Sequence, residues 1–167
     1  MDEDREKEIK NLLSQFSFLN EDRNRDRKVE FELFDEALTH SSYAKECRDK
    51  KIECKDNERL EFLGDKVLSL FLAEMLYKNP DLDEEAMTKA LQILSNKTLA
   101  SVGRKISGFE KSIRLGGSES KKEKVEDSIV AGAVEAFAGA VYVTFGIERT
   151  RKFVRSLFKE EMGKYPI

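Results

Sequence analysis

Three acidic residues have the spacing of a single helical face. Glu58, Glu61 and Asp65 follow one another at intervals of three and four residues, so on a helix their carboxylates lie side by side. No lysine or arginine stands four residues after any of them, and like charges at this spacing oppose one another by roughly a few tenths of a kcal/mol. The pattern leaves two interpretations, an exposed acidic stripe and a face that binds a cation.

A further carboxylate, Glu135, lies within an apolar stretch. It is the only charged residue between Asp127 and Glu148. Its helical neighbours are alanine, glycine and serine, which allow another helix to approach, so we expect Glu135 to be enclosed. A buried carboxylate is costly unless it is paired, protonated or bound to a metal. The alternatives are a glutamate bonded to an amide or an arginine, and a metal ligand.

Carboxylates that cluster without histidine or cysteine suit a hard cation such as Mg²⁺, with Mn²⁺ as a substitute. Such a cation can generate hydroxide and stabilise a phosphodiester transition state. His40 is the only histidine, and Cys47 and Cys54 lack the Cys-x-x-Cys spacing. Neither a zinc site nor a disulfide framework is therefore indicated, and we expect a protein of the reducing cytoplasm.

The elements that position these acids are predicted to be helices. Apolar spacing is helical along nearly the whole chain, which predicts an all-α fold in one domain over residues 1–167. The helix with the three acids is expected over residues 56–77, ending before the turn at residues 79–80. Separate helices are expected over residues 128–143 and around residues 153–158. The remaining apolar stripes lie at residues 9–16, 31–38, 87–94 and 99–106.

Charge and hydropathy limit the possible partners. Thirty basic and 33 acidic residues give a net charge of −3, whereas a simple electrostatic nucleic-acid binder is usually basic. Contact with RNA would therefore be local, or aided by metal ions or another module. Residues 128–147 are long and apolar enough to raise a membrane span, but Glu135 near their centre favours a core helix and no membrane. The charged N-terminus lacks the apolar segment of a signal peptide.

Four segments, in this order along the chain, resemble the catalytic domain of ribonuclease III. They are ALTHSSYA at residues 37–44, NERLEFLGD at residues 57–65, SNKTLA at residues 95–100 and VEAFAGAVYV at residues 134–143. The resemblance extends over about residues 5–163. It implies the all-helical endonuclease domain fold, in a homodimeric helical bundle. It also implies Mg²⁺-dependent cleavage of double-stranded RNA in RNA processing, including rRNA processing, which leaves 5′-phosphates and short 3′ overhangs.

The same resemblance implies roles for particular residues. It assigns catalysis and metal binding to Glu61, Asp65 and Glu135. Glu58 matches an acidic residue with a secondary role, and Asp83 or Glu84, of which Glu84 is our choice, matches another. Phe62 matches an aromatic side chain that enters a socket on the partner subunit, although a phenylalanine of the chain's own core is the alternative.

The chain departs from the family pattern at two points. Gly132 stands where the family has an aspartate three residues before the closing glutamate, so one expected ligand is missing and activity is expected to be reduced. Asp127 lies on another helical face and is not expected to replace it. In addition, bacterial members of the family carry a C-terminal double-stranded RNA-binding domain, whereas residues 1–167 are expected to form the catalytic domain alone. Lys121, Lys122 and Lys124 are candidates for RNA contact, with a solvated loop as the alternative.

Three functions remain open from the sequence. The first is an active double-stranded RNA endonuclease, which the acids Glu61, Asp65 and Glu135 favour. The second is a catalytically inactive relative that binds RNA or the ribosome, which Gly132 favours. The third is a helical interaction module without any RNA role, which a charged residue in the core disfavours.

Overall fold

The computed structural model describes residues 2–19 and 27–164, and these form an all-α fold. Within these residues there is no strand, and the only bridge pairs Thr39 with Arg114. The helices are α1 (Glu3–Ser14), α2 (Arg27–Ala37), α3 (Ser41–Asp49), α4 (Glu58–Tyr77), α5 (Glu84–Ala90), α6 (Asn96–Lys105), α7 (Gly117–Ser120) and α8 (Asp127–Leu157). Short 3-10 turns lie at Ser17–Leu19, Leu91–Leu94, Glu110–Ser112 and Met162–Lys164. The predicted fold class is confirmed.

Helices α4 and α8 cross at very short range, and glycine makes this possible. A Cβ atom placed on Gly64 would lie 1.7 Å from the carbonyl oxygen of Glu135, and one on Gly139 would lie 2.5 Å from that of Leu60. This crossing brings the acids of α4 next to Glu135.

The opposite side of α8 builds an aromatic core. The ring of Phe137 lies 4.8 Å from that of Phe34, 5.6 Å from Phe109 and 5.9 Å from Phe153, measured between ring centroids. Phe34 comes from α2 and Phe109 from the segment after α6, so this cluster joins four parts of the chain. The predicted apolar stripes of α1, α2 and the last helical segment are all buried.

A sharp bend in α8 agrees with the two separate helices predicted from the sequence. These were expected over residues 128–143 and around 153–158, and the stretch Asp127–Leu157 is divided into two helical halves by a kink at Gly146. Gly146 has φ 76° and ψ −177°, which only glycine adopts readily. Phe137 and Phe153 would be about 24 Å apart along a straight helix. Their rings are instead in contact, so the chain folds back at the bend.

Helix α8 is also the one helix among the described residues whose length and composition would suit a membrane span. In its most apolar window 72% of the residues are buried inside the molecule. It packs against α4, α6 and α2. These contacts agree with the core helix that the position of Glu135 predicted.

Candidate active site

A cleft of about 620 Å³ opens where the first turns of α4, the first half of α8 and the start of α3 meet. It brings together the four acids that the sequence singled out on these helices, and Gly132 and Phe62 with them. The residues that line it are His40, Ser41, Asn57, Glu58, Glu61, Phe62, Asp65, Ser128, Ile129, Gly132 and Glu135. Helical spacing explains the set, since the acids of α4 share one face and that face crosses α8.

Burial and mutual repulsion make two of these carboxylates weaker acids. The pKa of Glu135 is raised to about 7, first by burial and then by the charges of Asp65 and Glu61, while Lys66 acts in the opposite direction. The pKa of Glu61 is also raised, first by burial and then by Glu58 and Asp65. The cleft therefore holds its negative charges at a cost, which a bound cation would relieve.

One expectation about these acids needs correction, and one ion pair adds to the sequence pattern. Glu135 is half-buried and faces the cleft, so it is not enclosed in the core. Asp65 has a cationic partner after all, because Lys66, its direct neighbour, donates a hydrogen bond to its carboxylate at 2.7 Å. This partner is the next residue in the chain, whereas ion pairs within a helix usually join residues that are three or four positions apart.

The acids line one cleft, but their carboxylates are too far apart to coordinate one metal ion together in this conformation. Within residues 2–19 and 27–164, no three His, Cys, Asp or Glu side chains lie at the mutual distances of a metal site. Like charges favour such a separation. The oxygen-only donor set and the raised pKa values fit a hard divalent cation, so metal binding by Glu61, Asp65 and Glu135 stays a prediction.

Gly132 lies against Glu61, and this contact bears on the missing aspartate. A Cβ atom at residue 132 would lie 2.7 Å from Oε2 of Glu61 and 2.9 Å from its Cδ. Position 132 thus faces α4, as expected, but the space beside it is filled by the Glu61 carboxylate. An aspartate there would require Glu61 to change its rotamer. Asp127 does not replace the missing group, because it accepts a hydrogen bond from Arg104 at 2.7 Å.

Phe62 is exposed on the rim of the cleft. Its side chain is 70% accessible to solvent, so the alternative of a phenylalanine in the chain's own core is wrong. The Lys66 ammonium lies 5.9 Å from the centre of its ring. An exposed aromatic side chain beside a functional cleft suits contact with another molecule, and the partner socket stays a prediction.

The remaining predicted site residues lie outside the cleft. Glu84 is exposed in the first turn of α5, where its carboxylate accepts a hydrogen bond from the Thr88 hydroxyl at 3.4 Å. Lys122 forms ion pairs of 2.7 Å with both Glu119 and Glu126. Lys124 lies 3.6 Å from Asp127, whereas Lys121 forms no ion pair with the described residues. Two of the three lysines are therefore already engaged within their own loop.

Two further residues that line the cleft, His40 and Asn57, were not predicted as site residues. From the sequence, His40 served only to argue against a zinc site, and Asn57 appeared only as the first residue of a motif. A signal was present, because both belong to the two motifs at residues 37–44 and 57–65. Their backbones are joined through Thr39, whose carbonyl oxygen accepts a hydrogen bond from the Asn57 amide at 2.9 Å.

By fold and site, the protein is an all-α domain with a carboxylate-lined cleft between two crossing helices. A family model described as "Ribonuclease-III-like" matches residues 12–162. The chain belongs to this ribonuclease-III-like family.

Individual relatives agree with this membership. Over 143 residues the chain is 43% identical to a protein named Ribonuclease 3 from Caldanaerobacter subterraneus subsp. tengcongensis, covering 81% of the chain and 61% of that protein. It is 42% identical over 131 residues to Ribonuclease 3 of Borreliella burgdorferi, covering 77% and 52%. The chain thus spans little more than half the length of these relatives.

Solved structures of similar shape come from the same family. The nuclease domain of ribonuclease III from Campylobacter jejuni superposes with a TM-score of 0.68 at 27% identity, covering 95% of this chain and 99% of that one. A second structure of that domain has a TM-score of 0.66 at 24% identity and supports the fold alone. The implied endonuclease domain fold is confirmed.

Proposed function

We propose that this chain is the catalytic domain of an endoribonuclease that cuts double-stranded RNA with Mg²⁺, or Mn²⁺ in its place. The observation that carries the proposal is the meeting of carboxylates from α4 and α8 in one cleft. Glu61, Asp65 and Glu135 would hold the cation, and Glu58 would take a secondary part at the entrance. The cation supplies a Lewis acid and a nucleophile for phosphodiester hydrolysis.

The roles of the protein groups follow from their surroundings. Glu135 and Glu61 have raised pKa values, so a cation in the cleft removes a repulsion that the empty folded chain must carry. Lys66 donates a hydrogen bond to the Asp65 carboxylate at 2.7 Å, which limits the rotation of that side chain. The products are expected to carry 5′-phosphates and short 3′ overhangs, as the family resemblance implies.

A cleavage assay tests this function. Long double-stranded RNA is incubated with the wild-type chain in excess Mg²⁺ and, separately, in EDTA, and the product ends are mapped. We expect Mg²⁺-dependent fragments that the Glu135→Gln variant fails to produce. The matched control is Glu123→Gln, which removes an exposed carboxylate from the loop before α8 and should change nothing. Cleavage that persists in Glu135→Gln would contradict the proposed role of the cleft.

A second function is favoured by one observation. Gly132 replaces the family's aspartate, and the Glu61 carboxylate lies in its place. A cleft with one ligand fewer would bind duplex RNA without cutting it at a useful rate, as in an RNA-binding or ribosome-associated relative. Binding of duplex RNA with no cleavage at any Mg²⁺ concentration would identify this alternative.

The proposed assembly is a homodimer that places one cleft against each RNA strand. Its support is the exposure of Phe62, together with the solved Campylobacter nuclease domain, which is described by its region involved in dimer formation. A two-fold dimer would seat each Phe62 in the partner. Phe62→Ala should weaken the dimer by about 2 kcal/mol or more in sedimentation experiments. Ile52→Ala, which removes another exposed apolar side chain, is the control.

The remaining proposals concern residues that lie outside the cleft. We infer that Lys121, which has no ion pair with the described residues, contacts RNA phosphate, and that Lys122 and Lys124 join it by exchanging their carboxylate partners. Glu84 lies apart from the cleft, so its carboxylate would act by contacting RNA or the partner subunit.

The two free cysteines, Cys47 and Cys54, support a cytoplasmic location.

A further inference from the structure

Asn57 occupies a capping position but does not cap its helix. Asparagine directly before a helix normally accepts a hydrogen bond from an amide in the first turn, a contact of about 1 kcal/mol. Here Asn57 has φ −82° and ψ −6°, and its side chain makes no such bond with α4. Its backbone is nevertheless fixed, because its N–H donates to Thr39 and its carbonyl oxygen accepts from the Glu61 amide at 2.8 Å.

The Asn57 amide is buried yet unused. The residue is only 2% exposed, it lines the cleft, and its side chain makes no hydrogen bond with any described residue. Asn57 therefore presents two N–H donors and one carbonyl acceptor to whatever enters the cleft.

His40 is held at its Nδ1 atom by a chain of local contacts. Nδ1 accepts a hydrogen bond from the backbone N–H of Ser42 at 3.3 Å and lies 2.8 Å from the Ser42 hydroxyl. That hydroxyl oxygen accepts from the Gly116 amide at 2.9 Å, so its own hydrogen points to Nδ1. The His40 backbone is fixed as well, by donation to the Arg114 carbonyl oxygen at 3.0 Å.

These contacts determine which nitrogen of His40 carries the proton. Because Nδ1 accepts from Ser42, the neutral ring has its hydrogen on Nε2. Nε2 makes no hydrogen bond with the residues that the structure describes, and His40 lines the same cleft as Asn57. Its N–H is thus a fixed donor directed away from the Ser42 contact.

We propose that the Nε2–H of His40 and the side-chain amide of Asn57 bind a non-bridging phosphate oxygen of the RNA strand that enters the cleft. This inference rests on the proposed function. The other polar groups of the cleft are chiefly carboxylates, which repel a phosphodiester. N–H groups are common donors to phosphate oxygens in complexes of proteins with nucleic acids. The two residues would place the phosphate beside Glu61, one turn after Asn57.

The first test reads the tautomer directly. His40 is the only histidine, so long-range ¹H–¹⁵N correlation spectra of the uniformly labelled chain give one imidazole pattern. We expect the Nε2–H tautomer, and a shift of the Nε2 resonance when a short RNA duplex is added in Ca²⁺. Observation of the Nδ1–H tautomer, or an Nε2 resonance that duplex binding leaves unchanged, would overturn the proposal.

The second test compares donors of different reach. Glutamine places an N–H near the position of Nε2, whereas asparagine reaches only as far as Nδ1. In Ca²⁺, His40→Asn should weaken binding of the RNA duplex about tenfold, and His40→Gln should restore most of the loss. Asn57→Asp, which removes the donors and keeps the shape, should also weaken binding, unlike the exposed control Asn96→Ala. Thermal unfolding of each variant separates these effects from misfolding.

A change in the RNA separates phosphate from ribose as the bound group. A methylphosphonate at the mapped cleavage position removes one non-bridging oxygen, and His40→Asn should then cost no further affinity. A 2′-deoxy substitution there should leave the cost of His40→Asn intact. If wild type, His40→Asn and Asn57→Asp all bound the unmodified duplex equally well, the proposed phosphate contact would be wrong, but the proposed function would stand. A wild-type chain that neither binds nor cuts the duplex would contradict the proposed function, and the donor pair with it.

Discussion

Helix α8 presents two sides of opposite character, only two residues apart. Phe137 is 1% exposed and contacts three other aromatic rings. Glu135 is half-buried among like charges, and its pKa is raised to about 7. The aromatic side stabilises the fold under all conditions, whereas the acidic side lowers stability unless a proton or a cation is present. The two sides should therefore respond differently to pH and to Mg²⁺.

The largest effect on stability is expected at the crossing of α4 and α8, because the aromatic and the acidic side of α8 both depend on it. In Gly64→Ala the new Cβ atom would lie 1.7 Å from the backbone oxygen of Glu135, so the helices must separate. We expect a loss of about 4 kcal/mol or more in the free energy of unfolding, measured by urea denaturation, and loss of Mg²⁺ binding. Gly163→Ala, where a Cβ atom meets nothing within 4 Å, should change stability little. Near-wild-type stability of Gly64→Ala would contradict the close crossing.

The aromatic side is tested by Phe137→Ala. Loss of a fully buried ring is expected to lower the free energy of unfolding by about 3 to 5 kcal/mol. The Phe137 ring carries no charge and packs against other aromatic rings. The loss of unfolding free energy should therefore be the same at low and high pH, and with or without Mg²⁺. A loss that depended strongly on either condition would show that the two sides of α8 are not independent.

The acidic side is tested by Glu135→Gln. The folded-state pKa of about 7 lies above the ordinary value of 4.5, so between these values the folded chain binds more protons than the unfolded chain. Wild-type stability therefore falls as pH rises through this interval and stays reduced above it. After discounting for partial exposure, the variant should exceed wild type by about 1 to 2 kcal/mol at about pH 8 in EDTA.

Two conditions should remove this advantage of Glu135→Gln. Well below pH 4.5 the carboxyl is neutral in both the folded and unfolded chain, so the two proteins should be equally stable. In Mg²⁺ the wild type should gain stability by binding the cation, and the variant should gain less. Equal stability of the two proteins above pH 7 in EDTA would show that burial and repulsion do not act on Glu135.

The smallest effect on stability is expected at Gly132. Gly132→Asp adds a carboxylate beside Glu61, so in EDTA it should be less stable than its isostere Gly132→Asn by about 0.5 kcal/mol. In Mg²⁺ the order of stability should reverse, so that Gly132→Asp is the more stable of the two variants. Relative to wild type, Gly132→Asp should bind the cation at least about tenfold more tightly and cleave duplex RNA faster. If Gly132→Asp lowered thermal stability in both conditions and left cleavage unchanged, position 132 would serve helix packing rather than metal binding.

Local periodicity explains why much of the site could be predicted. The face shared by Glu58, Glu61 and Asp65 follows from residue spacing alone, and the small residues around Glu135 indicated a close helix. Both features depend on neighbours within a turn or two. The apolar stripes that predicted α1, α2 and α4 are local in the same way, so these helices were found with small errors at their ends.

Features set by distant residues or by backbone detail could not be found in this way. The sequence separated the two halves of α8 but did not locate the bend at Gly146, because that bend depends on a positive φ that a pattern of apolar residues does not reveal. The orientation of His40 depends on Gly116, more than seventy residues away in the chain. The position of the Glu61 carboxylate beside Gly132 depends on a rotamer, which is chosen only after α4 and α8 have packed.

The bend at Gly146 also sets the axial alignment of α4. The first half of α8 meets α4 at Gly64, and the second half returns to it, where Arg151 donates to the Glu74 carboxylate at 3.0 Å and covers the ring of Phe71. These two points of attachment lie about 15 Å apart along α4. A sliding motion of α4 would have to break both at once. One bent helix thus keeps the carboxylates of its neighbour in register with its own.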